Sequence, residues 1–548
     1  MNQKKIYKIL LIDTQYLTNS KQLLISYIDA NGDMKVNYYP WEYPYKYEVC
    51  GANDVEKEEN YHSWDGKPIK KAYCGYPDRY STYEFLDAIP REKKIEKENL
   101  EFLIKETKDE EKLESLYKLA DSVDRSIESM DEVFNFYLPK IYFIDIETEV
   151  IDGFPDPAEA PTMIQSLSIV YDDKIILLGL KDLSKEAQIR IKDNTNKYFE
   201  KFDANYKFKF IKYDDEFDML YSFFNTMLPK MPCITGWNFL NFDLRFLVNR
   251  ARKLSKTKNG KTYHIDPKSS SYSKSMNKIW GTDYEVPRHK LVFDYMLLYA
   301  SLDSSIKVKE SNSLDFVSSK VLGVKKIEYK QGSLMKLYEE DYETFMYYNA
   351  VDSVLVQQIH KKMNYISIIF AVASLAKIKA VDVYSYMNNN LASLAITEGV
   401  LRNMFRDEEN IILFKDKTKN HSGEGGIAGG WVKTPAIGMN RWVACYDFAS
   451  LYPTTQRQFF IAPENYKGKQ DLQDPTHCIS TSGIKMKIDD KNDVVCVNGS
   501  VFRKKKSPTL KMLENVYNDR KKAKKTMMEK KFELNEIEKE LHKLENDF

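Results

Sequence analysis

The chain opens with short, mainly apolar, strand-like runs at residues 7–12 and 23–28. Asn-Gly and proline-rich turns separate them, and the pattern predicts strands. From about 91 to 132 the period becomes helical and heavily charged, with Glu and Lys interleaved at i, i+4 spacing, the mark of a solvated helix face. Near Pro139 the pattern changes again. Residues 141–147 read as a buried strand, 164–171 as a second, and mixed strands and helices continue to about 360, which predicts an α/β domain. A stretch rich in Lys, Gly and Ser, 414–430, breaks this pattern. Beyond it, 442–446 predicts a strand and 484–505 a hairpin turning at Asn498-Gly499. Ser507 as N-cap and Pro508 as first helical residue then start a Lys/Glu-rich helix that continues to 548. There is no internal repeat.

Length and composition narrow the class without naming a function. The 548 residues suit roughly three or four domains. With 43% hydrophobic and 30% charged residues, the balance is that of a folded globular chain. A net charge of +1 neither requires nor excludes a nucleic-acid partner. The six cysteines form no Cys-x-x-Cys pair, which argues against zinc and disulfide frameworks and for a reducing cytoplasm. The N-terminus has no signal-peptide pattern. The longest apolar stretch, 366–376, is shorter than a membrane span.

The chemistry begins at Asp145 and Glu147. Two positions apart on a strand, their side chains leave the same face. Carboxylates that close repel one another unless a cation neutralises them, so an Mg²⁺ or Mn²⁺ site is chemically natural. Asp-x-Glu alone is common at solvated strand ends; the context makes it specific. Asp145-Ile146-Glu147, with the tail Asp152-Gly153-Phe154-Pro155-Asp156-Pro157, resembles the first exonuclease motif of family B DNA polymerases in its T-even phage form. Thr235-Gly236-Trp237-Asn238-Phe239-Leu240-Asn241-Phe242-Asp243 resembles the second. Tyr348-Asn349-Ala350-Val351-Asp352 resembles the third, and on a helix its i, i+4 spacing sets phenol and carboxylate on one face. The resemblance implies a two-metal 3′→5′ exonuclease. Asp145 would bridge the metals, Glu147, Asp243 and Asp352 would complete the shells, and Tyr348 would orient the attacking water or its phosphate.

Farther on, Cys445-Tyr446-Asp447-Phe448-Ala449-Ser450-Leu451-Tyr452-Pro453 resembles the family's first polymerase motif. The resemblance implies that Asp447, at a strand end, holds catalytic metal. It gives Ser450 and Leu451 the triphosphate through their backbone N–H groups, and Tyr452 the exclusion of a 2′-hydroxyl. Ile427-Ala428-Gly429-Gly430 resembles the element that contacts DNA between the two activities, through Ile427, Gly429 and Gly430. Between 503 and 531 twelve Lys/Arg face three acids; in that run Arg520 and Lys524 resemble the fingers residues that grip the incoming triphosphate. A lysine-rich solvated face is the plainer reading of the run, and Lys521 with Lys525 forms an equally good pair. The family's Lys-x-x-x-Asn-Ser-x-Tyr-Gly helix and Asp-Thr-Asp-Ser hairpin are absent. Asp489-Asp490 reads as a turn.

The expected architecture is multidomain α/β (α+β). It comprises an N-terminal domain (1–137), an RNase H-like 3′→5′ exonuclease domain (138–365), a return segment (366–412), a partial palm (413–506) and a long first fingers helix (507–548). The expected function is a DNA-directed DNA polymerase subunit with a proofreading exonuclease. Its cofactors would be Mg²⁺ or Mn²⁺ in two-metal sites. Its partners would be primer-template DNA, a single-stranded 3′ end, dNTP and a second polypeptide carrying the rest of the polymerase. A free-standing or truncated exonuclease and a non-catalytic DNA-binding scaffold are the alternatives.

Overall fold

The computed structural model describes residues 10–28, 34–50, 61–63, 68–77, 81–82, 85, 104, 114–118, 139–151, 153–267, 269–271, 285–302, 311–376, 378–381, 383, 411–412, 434, 437–439, 441–469, 491–496 and 499–547. The chain forms two compact units, Met1–Glu42 with Glu84–Thr397, and Tyr43–Tyr83 with Glu398–Phe548.

In the first unit, Leu10–Leu17, Gln22–Ile28 and Met34–Pro40 form an antiparallel three-stranded sheet. Of the run predicted at 7–12, residues 10–12 lie in the strand Leu10–Leu17, and 7–9 lie outside the described residues. Most of the charged stretch 91–132 lies outside the described residues, but the ion pair Glu114–Lys118 (2.7 Å) shows its i, i+4 spacing in place.

The centre of this unit is a six-stranded mixed sheet. Its strands are β1 (Ile141–Thr148), β2 (Ile164–Tyr171), β3 (Lys174–Gly179), β4 (Lys207–Lys212), β5 (Cys233–Gly236) and β6 (Leu291–Asp294), in the order β4-β3-β2-β1-β5-β6. β1 to β3 form an antiparallel meander; β4, β5 and β6 join in parallel, as crossover connections require. Leu167, Ile169 and Val170 on β2 and Ile234 on β5 are fully buried, as expected of strands covered on both faces. Four helices matter for the site: α1 (Lys185–Tyr198), α2 (Glu216–Ser222), α3 (Asp243–Lys253) and α4 (Tyr342–Met363). At the start of α4 the Asp341 side chain accepts from Thr344 N, and at its end Asn364 adopts φ +54°, a left-handed stop. The helix lies across β1: the Phe143 and His360 rings are 5.6 Å apart, and Asn349 donates to Asp145.

In the second unit, Ile411–Ile412, Tyr61–Ser63, Pro68–Tyr73 and Tyr45–Val49 form one sheet, so residues near 411 return to the N-terminal strands. Its other elements are α5 (Leu451–Gln458), a three-stranded sheet of Tyr466–Lys469, Ser500–Arg503 and Asp493–Val495, and α6 (Pro508–Asp547). The predicted hairpin forms across 493–503, with Gly499 at φ +83° in its turn; Asn498, Asp489 and Asp490 lie outside the described residues. The strand predicted at 442–446 does not form. That segment is exposed irregular chain with Trp442 at φ +60°, and it has no neighbouring strand in the described residues to complete a ladder. Helix α6 starts at Pro508 as predicted, but the Ser507 hydroxyl is buried without a partner. An N–H that the first turn of the helix leaves without an intrahelical partner is instead satisfied by Glu464, whose carboxylate accepts from Thr509 N at 2.8 Å. Among the described residues no helix is long and apolar enough to cross a membrane.

Candidate metal centre

β1 places the site by its two-residue period. Phe143 is buried, and on the same face Asp145 and Glu147 project, half-buried, toward α4. From α4 comes Asp352, one turn after Tyr348. One carboxylate oxygen from each of Asp145, Glu147 and Asp352 lies within 4.8 Å of the others. Asp243, at the first position of α3, is buried and accepts a hydrogen bond from Ile146 N at 3.1 Å, between the two β1 carboxylates. Its oxygens are not in the group of three.

The turn from β5 to α3 requires Gly236, because a Cβ there would collide with the Ile144 carbonyl oxygen and the Phe239 ring. Asn238 then adopts φ +59°. The loop is held from β6 by Asp294, fully buried, which accepts from Leu240 N (3.0 Å), Met296 N (3.0 Å) and Leu297 N (3.3 Å). Burial pushes the Asp294 carboxyl up to about 6, against these backbone donors.

Two residues of the site have no signal in the spacing of the motifs. Lys326 arrives on the loop between the helices Leu314–Leu322 and Leu334–Glu340. Its Nζ bonds Asp352 Oδ2 at 2.5 Å and Tyr348 Oη at 3.2 Å. Asn349 stands inside the third motif at a position the pattern leaves open. Its amide donates to Asp145 Oδ2 at 2.8 Å and its oxygen accepts from Ser166 at 3.2 Å. Phe154, in the loop after β1, is 80% exposed with its ring 4.8 Å from that of Phe242, the neighbour of Asp243.

The electrostatics follow from four buried or half-buried carboxyl groups and one lysine. Burial, then the Asp352 charge, lifts Asp145 to about 7, while Lys326 and Asn349 oppose the rise. Burial, then the charges of Asp145, Asp352 and Asp243, hold Glu147 well above the ordinary range, and burial with Asp145 does the same for Asp243. Burial alone would lower Lys326, but Asp352 and Tyr348 outweigh it, so the lysine stays charged. An ion pair of 2.5 Å should depress Asp352, yet burial outweighs the lysine and that carboxyl too is raised. One lysine cannot balance the cluster. A divalent cation fits on two further counts: Asp352 Oδ1 is buried with no hydrogen-bond partner, and the donors are all oxygens, as Mg²⁺ and Mn²⁺ prefer.

The residues of the expected polymerase motif stand apart from this cluster in the sequence and lie in the second unit. Asp447 is exposed, Tyr452 is 78% exposed, and Leu451 begins α5 with Ser450 at φ +53° as its N-cap. Arg520 on α6 reaches Ser450, Nη1 to Oγ 3.3 Å, and Lys524 is exposed one turn on. The Arg457–Glu514 pair (3.4 Å) joins α5 to α6. Ile427, Gly429 and Gly430 lie outside the described residues.

Residues 88–295 match the model for DNA polymerase family B, exonuclease domain, and 384–542 that for DNA polymerase family B. The first range holds Asp145, Glu147 and Asp243; Lys326, Tyr348 and Asp352 lie beyond it and join through the fold. The second holds Asp447 to Tyr452, Arg520 and Lys524. The DNA-directed DNA polymerase of Escherichia phage RB69 is 26% identical over 336 residues, 59% of this chain and 35% of that protein. That of Enterobacteria phage T4 is 26% identical over 263 residues, 47% and 27% of the two chains. The DNA polymerase catalytic subunit of human herpesvirus 7 (strain JI) is 28% identical over 257 residues, 44% and 24%. The chain thus spans about a third of the length of the phage RB69 relative. With both family models matched in order, and an acidic cluster to which the first range gives Asp145 and Glu147, this chain belongs to DNA polymerase family B and carries that family's exonuclease domain and part of its polymerase domain.

Proposed function

We propose that the first unit is a metal-dependent 3′→5′ exonuclease of RNase H-like fold acting on the single-stranded 3′ end of a primer. The observation that carries this is the convergence of Asp145, Glu147 and Asp352 within 4.8 Å around one charged lysine. These three carboxylates, with Asp243 beside them, would hold the cation. Bound there, Mg²⁺ or Mn²⁺ supplies an activated water and neutralises charge on the phosphate. The chain's own groups do the rest. Asn349 fixes the rotamer of Asp145, and Lys326 fixes the Tyr348 hydroxyl where it can orient water or phosphate. Phe154 offers an exposed ring on which a terminal base stacks.

We propose further that Asp447, Ser450, Leu451, Tyr452, Arg520 and Lys524, with Ile427, Gly429 and Gly430 toward the DNA, belong to the nucleotide-binding part of a DNA polymerase site. One aspartate does not hold two metals, so polymerisation needs the family's second catalytic aspartate, second fingers helix and thumb. Neither the fold nor the relatives lend support to a second polypeptide as their source. The test is Mg²⁺-dependent digestion of an end-labelled primer with a 3′ mismatch, by the chain and by its Asp145→Ala, Glu147→Ala variant. Digestion from the 3′ end by the first alone is the expected result. Equal digestion by both would remove the assignment.

A further inference from the structure

Apart from the acidic cluster, the first unit holds a buried ion pair between α2 and α3. Glu216, the first residue of α2, and Arg250 on α3 are 7% and 17% exposed in their side chains. Arg250 Nε approaches Oε1 at 2.9 Å and Oε2 at 3.1 Å, and Nη2 approaches Oε2 at 2.8 Å. Both partners also hold main chain. Glu216 Oε1 accepts from Ile164 N at 2.7 Å, and Arg250 Nη1 donates to the carbonyls of Pro161 (3.0 Å) and Ala160 (3.4 Å).

The place of those main-chain groups gives the pair its meaning. In the β1–β2 ladder Glu147 pairs with Ser166 but Thr148 pairs with Ile164, so Gln165 is an extra residue in a bulge opposite Glu147. A bulge disrupts the ladder and re-aims the side chains beside it. Glu216 fixes the strand on the far side of this bulge, and Arg250 fixes the end of the loop leading into it. On the same helix Asn249 donates to Pro157 O (2.9 Å) and Lys253 to the Glu159 carbonyl, gripping the loop after β1 that carries Phe154. Helix α3 therefore carries Asp243 at one end and holds the other side of the Glu147 bulge with its last two turns.

We infer that Glu216 and Arg250 are positioning residues that set where the Glu147 carboxylate stands relative to Asp145 and Asp352, and so set the affinity of the site for its cation. This rests on the exonuclease reading of the cluster. A purely stabilising role is a poor explanation, because a buried ion pair rarely outperforms apolar packing of the same volume. The pair is instead built of directional bonds to the peptide groups flanking one bulge.

The experiment measures Mn²⁺ binding to the full chain by calorimetry and electron paramagnetic resonance, with single-turnover digestion of oligo(dT) and thermal melting alongside. Glu216→Gln and Arg250→Lys are each expected to weaken Mn²⁺ binding about tenfold, the usual effect of removing a residue that orients a ligand. They should lower kcat with little change in KM. Asn249→Ala, which frees the loop but not the bulge, is expected to leave Mn²⁺ affinity within about twofold and to raise KM instead. Wild-type Mn²⁺ affinity and kcat in both pair variants, with only the melting temperature lowered, would overturn the inference. If Glu216→Gln does not fold, Arg250→Lys still decides, since it keeps the charge and loses the two-pronged geometry. A wild-type chain that binds Mn²⁺ without digesting DNA would refute the nuclease function, while the Mn²⁺ titrations would still decide the positioning role.

Discussion

The acidic cluster on β1 and α4 and the aspartate before α5 both answer to motifs of one family, yet their surroundings are opposite. Asp145, Glu147 and Asp352 come from a strand and a helix more than 200 residues apart in sequence and converge in a half-buried cleft already furnished with a lysine. Asp447 stands on exposed irregular chain, and among the described residues no other acidic groups gather round it to form a site. The difference teaches that company and burial are what separate a cluster suited to a cation from a lone surface carboxylate. Packing brings like charges together only where something later compensates them.

The largest test of this contrast sets Asp352→Asn against Asp447→Asn. The first is expected to cut 3′→5′ digestion by at least about 10³-fold, because residues of one metal site act as a unit. The second should leave digestion within about twofold, and a loss comparable to the first would break the distinction. Next comes Lys326→Ala, expected to slow digestion about 10²-fold by freeing Tyr348 and unbalancing Asp352. Lys326→Arg should recover part of the rate, read as kcat on a single-stranded oligonucleotide.

A third test uses pH. Asp145 titrates at about 7 in the folded chain against an ordinary 3.8. The folded state therefore holds a proton that the unfolded state has released between those values. The stability this contributes is complete below about 4 and is lost as pH rises through 7. The melting temperature of the chelator-treated chain should fall between pH 5.5 and 8, by at least about 3 °C. Asp145→Asn should flatten the fall and Mg²⁺ should reverse it; a flat profile for the wild type would count against the buried charge. The smallest effect is expected in the second unit. Arg457 and Glu514 are about a third exposed, so Glu514→Gln should cost less than about 1 kcal/mol in denaturant melting. A larger loss would show that α5 and α6 depend on that contact as strongly as the cleft depends on Lys326.

Much of this was legible in the sequence, and the reasons are local. The apolar run at 141–147 reads as a strand, and its two-residue period puts Asp145 and Glu147 on one face. The i, i+4 spacing of Tyr348 and Asp352 specifies their shared face as soon as the segment is helical. Pro508 marks a helix start, because its ring fits the first turn and nowhere later. The strand expected at 442–446 failed for the complementary reason. An apolar run makes a strand only where a partner completes the ladder, and no residue pattern reports the presence of a partner.

What only the tertiary structure decided are the contacts between segments distant in sequence. Lys326 comes from a loop with no motif of its own, and Asn349 meets Asp145 across 204 positions. Asp243 reaches Ile146 across 97, and Glu216 meets Arg250 behind a bulge that spacing does not announce. Dihedral preferences and side-chain periods act between near neighbours and are written in the order of residues. Desolvation and charge pairing depend on which surfaces the fold brings together, so the electrostatics of the site exist only once the sheet and α4 have closed around it.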